Sequence, residues 1–487
     1  MKKFTQDEVN SILWRAYDSF KYRENIHVNR DYLLTIFFIK YITDRSIDED
    51  FDIIQVDDKS SFHYIYSNKY SNDIGDLINQ GLRKLEENNP SKLGGVFQQL
   101  DYNSEEYLGN WEERNEVICN VLEEINSLNL NKNNLEDSNI PANSFAQFIE
   151  ATEFELSRKM DNNYTPMELG RLVVDLINPE KEESIYDPSC GIGAIIAAAF
   201  NKTKGKETKI FGQVKDERLF RLCKINMILN DIKNEDIKLG DVIGKPAHIV
   251  GNQLQKFDVV LSYPLYMVEK WTKIFEEKNK EGKFAMKEEL DPYNRFLFGL
   301  PPSNSAEYVY ILHMINSMSE YGRMGIITYS GVLFRGGGEG KIRKNIIDEN
   351  LLDAIIMLPE RMLVNTSVSP VILLFRKKRK IKDILMIDAS SDKYIFEGRH
   401  INKFQPHIVD KIVDTYNNFY EYSGFSRKVS IEEIHAKDYN LYIPKYLLPL
   451  QETKRRDINQ IKQNILRIKA KLAEVEYEIE SLINKGI

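Results

Sequence analysis

Residues 184–194 read SIYDPSCGIGA, and the apolar run IIAAAF follows directly at 195–200. A short apolar strand therefore leads into a loop with two glycines, and the loop leads into a helix. Glycines let the backbone approach a ligand closely, and the free N–H groups at a helix start attract polar ligand groups. An isolated G-x-G is a weak signal, but this strand–loop–helix context indicates a ligand-binding unit of an α/β sheet.

Short apolar segments alternate with helical patterns on both sides of this loop. They predict strands at 184–186, 209–214, 257–261, 324–328, 352–358, 368–375 and 384–388. Such alternation predicts a doubly wound, mainly parallel sheet that binds its ligands outside the carboxyl ends of the strands.

The two ends of the chain have different patterns. Residues 1–150 carry helix-spaced apolar side chains, and the apolar run at 32–39 is shorter than the roughly 20 residues that cross a bilayer. The tail carries apolar residues at alternating spacings of three and four: Ile458, Ile461, Ile465, Ile468, Leu472, Val475, Ile479 and Leu482. This seam is typical of a coiled coil, and its regularity favours a partner helix over a helix that packs on its own domain. The partner is either another chain or a second copy.

These patterns divide the 487 residues into three parts. We predict an N-terminal helical domain at 1–150, an α/β domain at 151–445 and a C-terminal coiled-coil helix at 446–487. The net charge of −8 lacks the basic surplus of a protein that clamps DNA alone, so any DNA binding is local or needs a partner. Three scattered cysteines and a start without a signal peptide's apolar core predict a cytoplasmic protein with no metal site and no membrane segment.

Two further motifs lie at informative distances from the glycine loop. Tyr164-Thr165-Pro166 precedes it by about twenty residues, and on its own predicts only a helix start with Thr165 as N-cap. The segment FDVVLSYPLY at 257–266 predicts a strand that ends in an aromatic, proline-containing loop. In a doubly wound sheet this loop lies at the edge of the ligand crevice.

The order and spacing of these motifs resemble the modification subunit of type I restriction–modification systems, a family of DNA adenine-N6 methyltransferases. The resemblance runs over nearly the whole chain and is very specific at RFLFGLPP (295–302) and GVLFRGGGE (331–339). It implies a Rossmann-like class I methyltransferase domain that uses S-adenosylmethionine. It also implies a C-terminal helix that docks on a DNA-specificity subunit, with double-stranded DNA and a restriction subunit as further partners.

The resemblance assigns roles to residues. The glycine loop lines the methionine end of the cofactor, the Tyr164–Pro166 segment closes over the same site, and Asp241 lies near the cofactor's adenine. The predicted cofactor-binding residues are Tyr164, Thr165, Pro166, Asp187, Pro188, Ser189, Gly191, Gly193, Asp216 and Asp241. The target base flips out of the duplex and stacks on Tyr266.

Two motifs depart from the family pattern. The family's catalytic loop reads Asn-Pro-Pro followed by Phe or Tyr, whereas this chain has Tyr263-Pro264-Leu265-Tyr266. The asparagine oxygen and the next carbonyl accept hydrogen bonds from the adenine amino group. Pro264 keeps that carbonyl, but the long phenol arm of Tyr263 replaces a short amide, and loss of one such partner typically costs roughly 100- to 1,000-fold in rate. Tyr263, Pro264 and Tyr266 are the predicted catalytic residues.

The second departure concerns the ribose. The family places a glutamate after Phe-Gly-Gln to hold the ribose hydroxyls, and here Val214 stands at that position, so that Asp216 is the nearest replacement. Two departures leave more than one hypothesis open, among them methylation of a substrate other than DNA, because the altered loop would reshape the acceptor pocket. The two main hypotheses are these. The chain is a DNA adenine methyltransferase subunit, or it is a catalytically silenced subunit that serves as a DNA-binding or scaffold component of a defence complex.

Basic residues near glycines are the candidates for DNA contact. Arg335, Lys341 and Arg343 surround three glycines at 336–338, where the backbone permits close approach, although a flexible loop explains the same pattern. The basic run at 376–380 follows a strand, and a solvated turn is a better interpretation of it than a phosphate contact.

Overall fold

The computed structural model describes residues 3–20, 25–156, 165–203, 207–264, 271, 291–303, 305–363, 366, 368–398, 401–447, 462–463, 465–472 and 475. The chain divides into two units, Met1–Leu447 and Leu448–Ile487.

Helices fill the first third of the larger unit. They are α1 (Gln6–Asp18), α2 (Ile26–Arg45), α3 (Phe62–Ser67), α4 (Ile74–Asn88), α5 (Pro90–Leu93), α6 (Glu105–Leu108), α7 (Trp111–Asn126) and α8 (Ile140–Leu156). The predicted helical region is confirmed. Helix α2 begins at Ile26, ahead of the apolar run at 32–39, where Asn25 caps it by accepting a hydrogen bond from the Val28 N–H at 3.2 Å.

Strands and helices alternate through the rest of this unit. The strands are β1 (Ser184–Asp187), β2 (Lys209–Val214), β3 (Glu235–Leu239), β4 (Ile249–Val250), β5 (Gln253–Leu254), β6 (Phe257–Ser262), β7 (Met318–Tyr329), β8 (Leu352–Met357), β9 (Pro370–Arg376), β10 (Ile384–Asp388), β11 (Ile395–Phe396), β12 (Lys403–Phe404) and β13 (Ser426–Val429). The helices are α9 (Met167–Ile177), α10 (Ala194–Thr203), α11 (Glu217–Leu229), α12 (Glu307–Ser317), α13 (Gly337–Asp348), α14 (Pro406–Asn417) and α15 (Ile431–Ala436).

Nine of these strands form one sheet in the order β13-β10-β8-β9-β7-β6-β1-β2-β3. Strands β3, β2, β1, β6 and β7 run parallel to one another, and β8 runs parallel to β10. Strand β9 is antiparallel between β7 and β8, and β13 is antiparallel at one edge. The prediction of a mainly parallel α/β sheet is confirmed, and all seven predicted strands are present.

Both faces of the sheet are covered. Helices α9, α10 and α14 pack on one face, and α12, α13 and α15 pack on the other. The buried central strand β6 therefore reads as a nearly continuous apolar run instead of an alternating one. The N-terminal helices share a third core with α11, so they pack directly on the α/β region.

The tail unit contains helix over residues 465–472. Four seam residues are about half to two-thirds exposed: Ile465, Ile468, Leu472 and Val475. The helix is present as predicted, and its pairing with a partner stays a prediction. In the described part of the chain, every helix is too short or too polar to cross a bilayer.

Candidate functional site

The centre of the sheet contains a topological switch point. From β1 the chain moves outward to β2 and β3 on one side, and then returns to β6 and β7 on the other. Neighbouring parallel strands whose connections leave in opposite directions open a crevice at their carboxyl ends. The loop after β1 and the loop after β6 therefore meet at this crevice.

Asp187 joins these two loops. Its carboxylate Oδ1 accepts a hydrogen bond from the Ser262 hydroxyl at 2.6 Å and another from the Ser189 N–H at 2.9 Å. The side chain is almost completely buried, and burial raises its pKa to about 7 although both hydrogen bonds act in the opposite direction. Near neutral pH the carboxyl group is thus poised between its two charge states, and a cation in the crevice favours the ionised form.

The two glycines of the loop serve different purposes. Gly193 has φ of +76°, and a Cβ there would lie 2.6 Å from Met227 Cε and 2.9 Å from Cys223 Sγ, so this glycine permits α10 and α11 to pack closely. Gly191 has φ of +51°, and a Cβ there would meet no described atom within 4 Å. The backbone at Gly191 therefore borders open space in which a ligand can approach it.

Tyr310 completes the wall beside Ser189. The phenol comes from α12, hydrogen-bonds the Ser189 side chain and lies near the carboxylates of Asp187 and Asp241, while burial raises its pKa. The contact with Ser189 makes Tyr310 a crevice residue. No local motif predicts this role, because the loop at Ser189 and helix α12 are far apart in the chain.

The adenine and ribose side of the crevice lies at the ends of β2 and β3. Asp241 accepts a hydrogen bond from the Ile243 N–H at 2.9 Å and forms an ion pair with Lys215 at 2.7 Å. Val214 is buried at the end of β2. Asp216 caps α11 by accepting a hydrogen bond from the Leu219 N–H at 2.8 Å through Oδ1, and its role as a ribose ligand stays a prediction.

The segment before α9 differs from the prediction by one residue. The helix begins at Met167 with Pro166 as its N-cap, whereas the sequence placed Thr165 at the cap and Pro166 inside the helix. The reason is Glu150 of α8, whose carboxylate accepts the Met167 N–H at 3.0 Å and replaces a capping hydroxyl. Tyr164 lies outside the described residues.

Tyr263 follows β6, at the position of the family's asparagine. Its side chain is only 9% exposed and its hydroxyl hydrogen-bonds that of Tyr329, at the end of β7. Burial raises the pKa of Tyr263 well above its usual value, so the phenol stays neutral. Pro264 is also buried, and Leu265 and Tyr266 lie outside the described residues.

The predicted DNA-contact arginines have other partners. Arg335 pairs with Glu339 at 2.8 Å and with Glu307 at 2.7 Å. Arg343 is buried and donates hydrogen bonds to the carbonyls of Tyr439, Val332 and Arg335. The glycine segment is the start of α13 and not a free loop, so Arg343 serves packing; this part of the prediction is corrected.

Lys341 remains exposed on α13, and its contact with DNA stays a prediction. No group of three or more metal-ligating side chains occurs within the described residues.

A mainly parallel sheet whose central crevice is bordered by a glycine loop after β1 and a proline-containing loop after β6 defines a Rossmann-like protein of the methyltransferase class. Two family models match the chain: the one described as N-6 DNA Methylase covers residues 143–455, and the one described as HsdM N-terminal domain covers residues 9–125. The chain therefore belongs to the N-6 DNA methylase family, as its motifs predicted.

Similar proteins carry consistent names. The type I restriction enzyme MjaVII methylase subunit of Methanocaldococcus jannaschii is 32% identical over 338 residues, which are 66% of this chain and 56% of that protein. A second relative from that organism, the MjaVIII methylase subunit, is matched over 53% of its length, so the chain spans little more than half of these two relatives. The MpnII methylase subunit of Mycoplasma pneumoniae is 26% identical, with 84% of this chain and 76% of that protein covered.

A solved structure has the same fold. The type I restriction–modification system methyltransferase subunit from Streptococcus thermophilus superimposes with a TM-score of 0.80 at 23% identity, covering 91% of this chain and 100% of that one.

Proposed function

We propose that this chain is the modification subunit of a type I restriction–modification complex, which transfers a methyl group from S-adenosylmethionine to adenine N6 in DNA. The observation that carries the proposal is the Ser262–Asp187 hydrogen bond, because it holds the cofactor loop and the acceptor loop together at the switch point. A methyl donor on one loop and a flipped base on the other would then face each other.

The methionine end of S-adenosylmethionine fits the residues present. Asp187 supplies a buried carboxyl group whose pKa is near neutral, and Gly191 leaves its side of the loop open. Tyr310 and Ser189 offer hydroxyl groups along the same wall. The ribose end fits less well, because Val214 offers no acceptor and Asp216 caps a helix. When bound, the cofactor supplies an activated methyl group on a sulfonium.

The chain's own residues would orient the acceptor base. The carbonyl of Pro264 accepts one amino hydrogen of the adenine, and Tyr266 stacks on the ring in the role that the resemblance implies. Tyr263 stands where the second acceptor belongs, but its hydroxyl is paired with Tyr329. This arrangement leaves the adenine nitrogen with one preorganised partner.

The same contact favours a second candidate function. A subunit whose acceptor position is filled by a buried, hydrogen-bonded Tyr263 retains the fold and its interfaces while transfer is silenced. In this candidate the chain acts as a DNA-binding or scaffold component of a defence complex. The two candidates differ in methyl transfer and agree on assembly.

Cofactor binding should depend on pH through Asp187. Binding of the cofactor's ammonium group requires the ionised carboxylate, and below its pKa of about 7 a proton must leave first. We therefore expect affinity for S-adenosylmethionine to be about tenfold lower at pH 6 than at pH 8, with nearly one proton released on binding at pH 6. Titration calorimetry in two buffers of different ionisation enthalpy measures both quantities.

Asp187→Asn is the matched control for this titration. The variant should bind the cofactor more weakly at pH 8 and lose the pH dependence below pH 7, because its amide cannot ionise. Equal wild-type affinity at pH 6 and pH 8 would remove Asp187 from the site, and no binding at millimolar cofactor would refute the cofactor proposal itself.

The tail should carry assembly with the specificity subunit. Substitution of Ile465 and Leu472 by Glu places two charges in the predicted seam. Each substitution removes the stabilisation of about 1.5–3 kcal/mol that the apolar side chain would gain by burial against the partner helix. Affinity for the specificity subunit should fall at least 100-fold for the double variant in a calorimetric or gel-filtration assay. Leu466→Glu is the control, since Leu466 is also exposed on the same helix but lies off the seam. Intact assembly of the double variant would disprove the coiled-coil proposal.

A further inference from the structure

A cavity of about 640 Å³ lies at the amino-terminal edge of the sheet. Lys256 directly precedes β6, Leu351 directly precedes β8, and the antiparallel β9 ends nearby at Arg376. The switch-point crevice is at the opposite ends of these strands, roughly 20 Å away for a six-residue strand. The cavity is therefore separate from the proposed methyl-transfer site.

The walls of this cavity are basic, although the whole chain has a net charge of −8. Five basic and two acidic side chains line it: Lys256, Arg295, Lys377, Lys378, Arg379, Glu320 and Glu349. Four of the basic side chains come from two stretches of sequence: Arg295 from the RFLFGLPP motif, and Lys377, Lys378 and Arg379 from the basic run at 376–380. Apolar side chains, including Leu297 and Phe298, complete the lining.

Two of the lysines stand close together with neutral partners. The Nζ of Lys256 donates to the backbone and side-chain oxygens of Asn316, and the Nζ of Lys377 donates to the Met318 carbonyl at 2.7 Å. Burial and the charge of Lys256 lower the pKa of Lys377 to about 8, and burial also lowers the pKa of Lys256. Neither lysine has a carboxylate partner among the described residues, so their mutual repulsion is not compensated.

Arg295 adds a second, independent observation. Its guanidinium is 1% exposed, with Nε bound to Asp291 and Nη1 bound to the carbonyls of Val242 and Ile243. The remaining nitrogen, Nη2, is buried and has no hydrogen-bond partner in the described part of the chain. A buried donor without an acceptor costs free energy, and Arg295 adds a positive charge behind the wall of the cavity.

We propose that this cavity binds the phosphate group of a small molecule of nucleotide size. The volume lies within the range of small-molecule sites and is too small for a DNA duplex. Lys256, Lys377 and Lys378 contact the phosphate oxygens, Arg295 supplies charge beneath them, and the apolar wall at Leu297 and Phe298 faces the organic part. Arg379 is buried and donates hydrogen bonds to Asp353, Asn350 and the Asp383 carbonyl, so it stabilises the wall of the cavity.

The test is calorimetric titration of the full chain with ATP and, separately, with inorganic tripolyphosphate. Both should bind saturably, and Lys377→Met and Lys256→Met should each weaken binding at least tenfold. Lys382→Met is the matched control, because this exposed lysine belongs to the same turn but does not line the cavity. Equal binding of the two probes identifies a polyphosphate ligand, and at least tenfold tighter ATP identifies a nucleotide; either result supports the site.

A chemical measurement keeps the proposal testable if the variants fold poorly. Near pH 8 the partly neutral Lys377 should react with an amine acylating reagent, and tripolyphosphate should protect it. No binding of either probe by the folded chain at millimolar concentration overturns the proposal. So does ATP binding that S-adenosylmethionine displaces and Lys377→Met leaves unchanged, since that places the nucleotide in the switch-point crevice. Loss of duplex DNA binding in Lys377→Met, without any ATP binding, assigns the patch to DNA instead and also overturns it.

Discussion

Substitution of Tyr263 by Asn is expected to raise adenine methylation by this chain about 100- to 1,000-fold. The short amide would replace a bulky phenol that is buried and paired with Tyr329, and it would restore the second acceptor for the adenine amino group. Transfer of a labelled methyl group to DNA, measured for the complex with its specificity subunit, checks this result.

Two variants control for other causes of the change. Tyr329→Phe removes the hydroxyl partner of Tyr263 without creating an amide acceptor, so its rate should stay at the parental level. Tyr263→Asn combined with Leu265→Pro restores the full family loop and should be at least as fast as the single variant. A parent chain that already methylates at a normal rate, and is slowed by Tyr263→Asn, would make the phenol a working catalytic group and contradict the silencing argument.

The strands of the sheet were predictable because their signals are local. Segments such as 257–261 and 384–388 are apolar over a length that suits strands, and turn residues flank them. The order in which the strands pair in the sheet was harder to predict from the sequence. The antiparallel insertion of β9 between β7 and β8, and the edge position of β13, depend on contacts between segments that no local period reports.

The crevice shows the same division between local and distant contacts. The order of motifs located Asp187 and the loop at Tyr263 correctly at neighbouring strand ends. The partners of those residues come from far along the chain: Ser262 for Asp187, Tyr310 for Ser189 and Tyr329 for Tyr263. A hydroxyl group in an apolar segment has no distinctive sequence pattern. These hydrogen-bond partners could therefore be identified only from the structure.

The arginines of α13 illustrate why charge patterns mislead. Three glycines beside Arg335 and Arg343 suggested an exposed loop that approaches DNA. The acceptors that occupy these guanidinium groups, Glu307 and the Tyr439 carbonyl, lie in segments distant in sequence. A basic residue near glycines is therefore evidence for a DNA contact only when such acceptors are excluded.

A buried charge network joins the N-terminal helices to the α/β region, and its loss should be the largest effect on stability. Arg30 of α2 is completely buried and donates to Glu153 of α8 at 2.7 Å, while its neighbour Asp31 accepts from Arg221 of α11 at 2.5 Å. Arg30→Met keeps most of the volume and leaves the Glu153 carboxylate buried without its closest cation. Breaking a buried pair in this way typically costs about 3–5 kcal/mol.

The measurement is urea unfolding followed by tryptophan fluorescence, since Trp14 and Trp111, two of the three tryptophans, lie in the N-terminal helices. Arg15→Met is the matched control: Arg15 pairs with Glu124 at 2.9 Å, but both side chains are substantially exposed, and such pairs contribute at most about 1 kcal/mol. The double variant Arg30→Met with Glu153→Gln removes both charges and should recover most of the loss. If Arg30→Met were no more destabilising than Arg15→Met, burial would not be what makes this pair important. The contact between α2, α8 and α11 would then depend on the apolar core that these helices share.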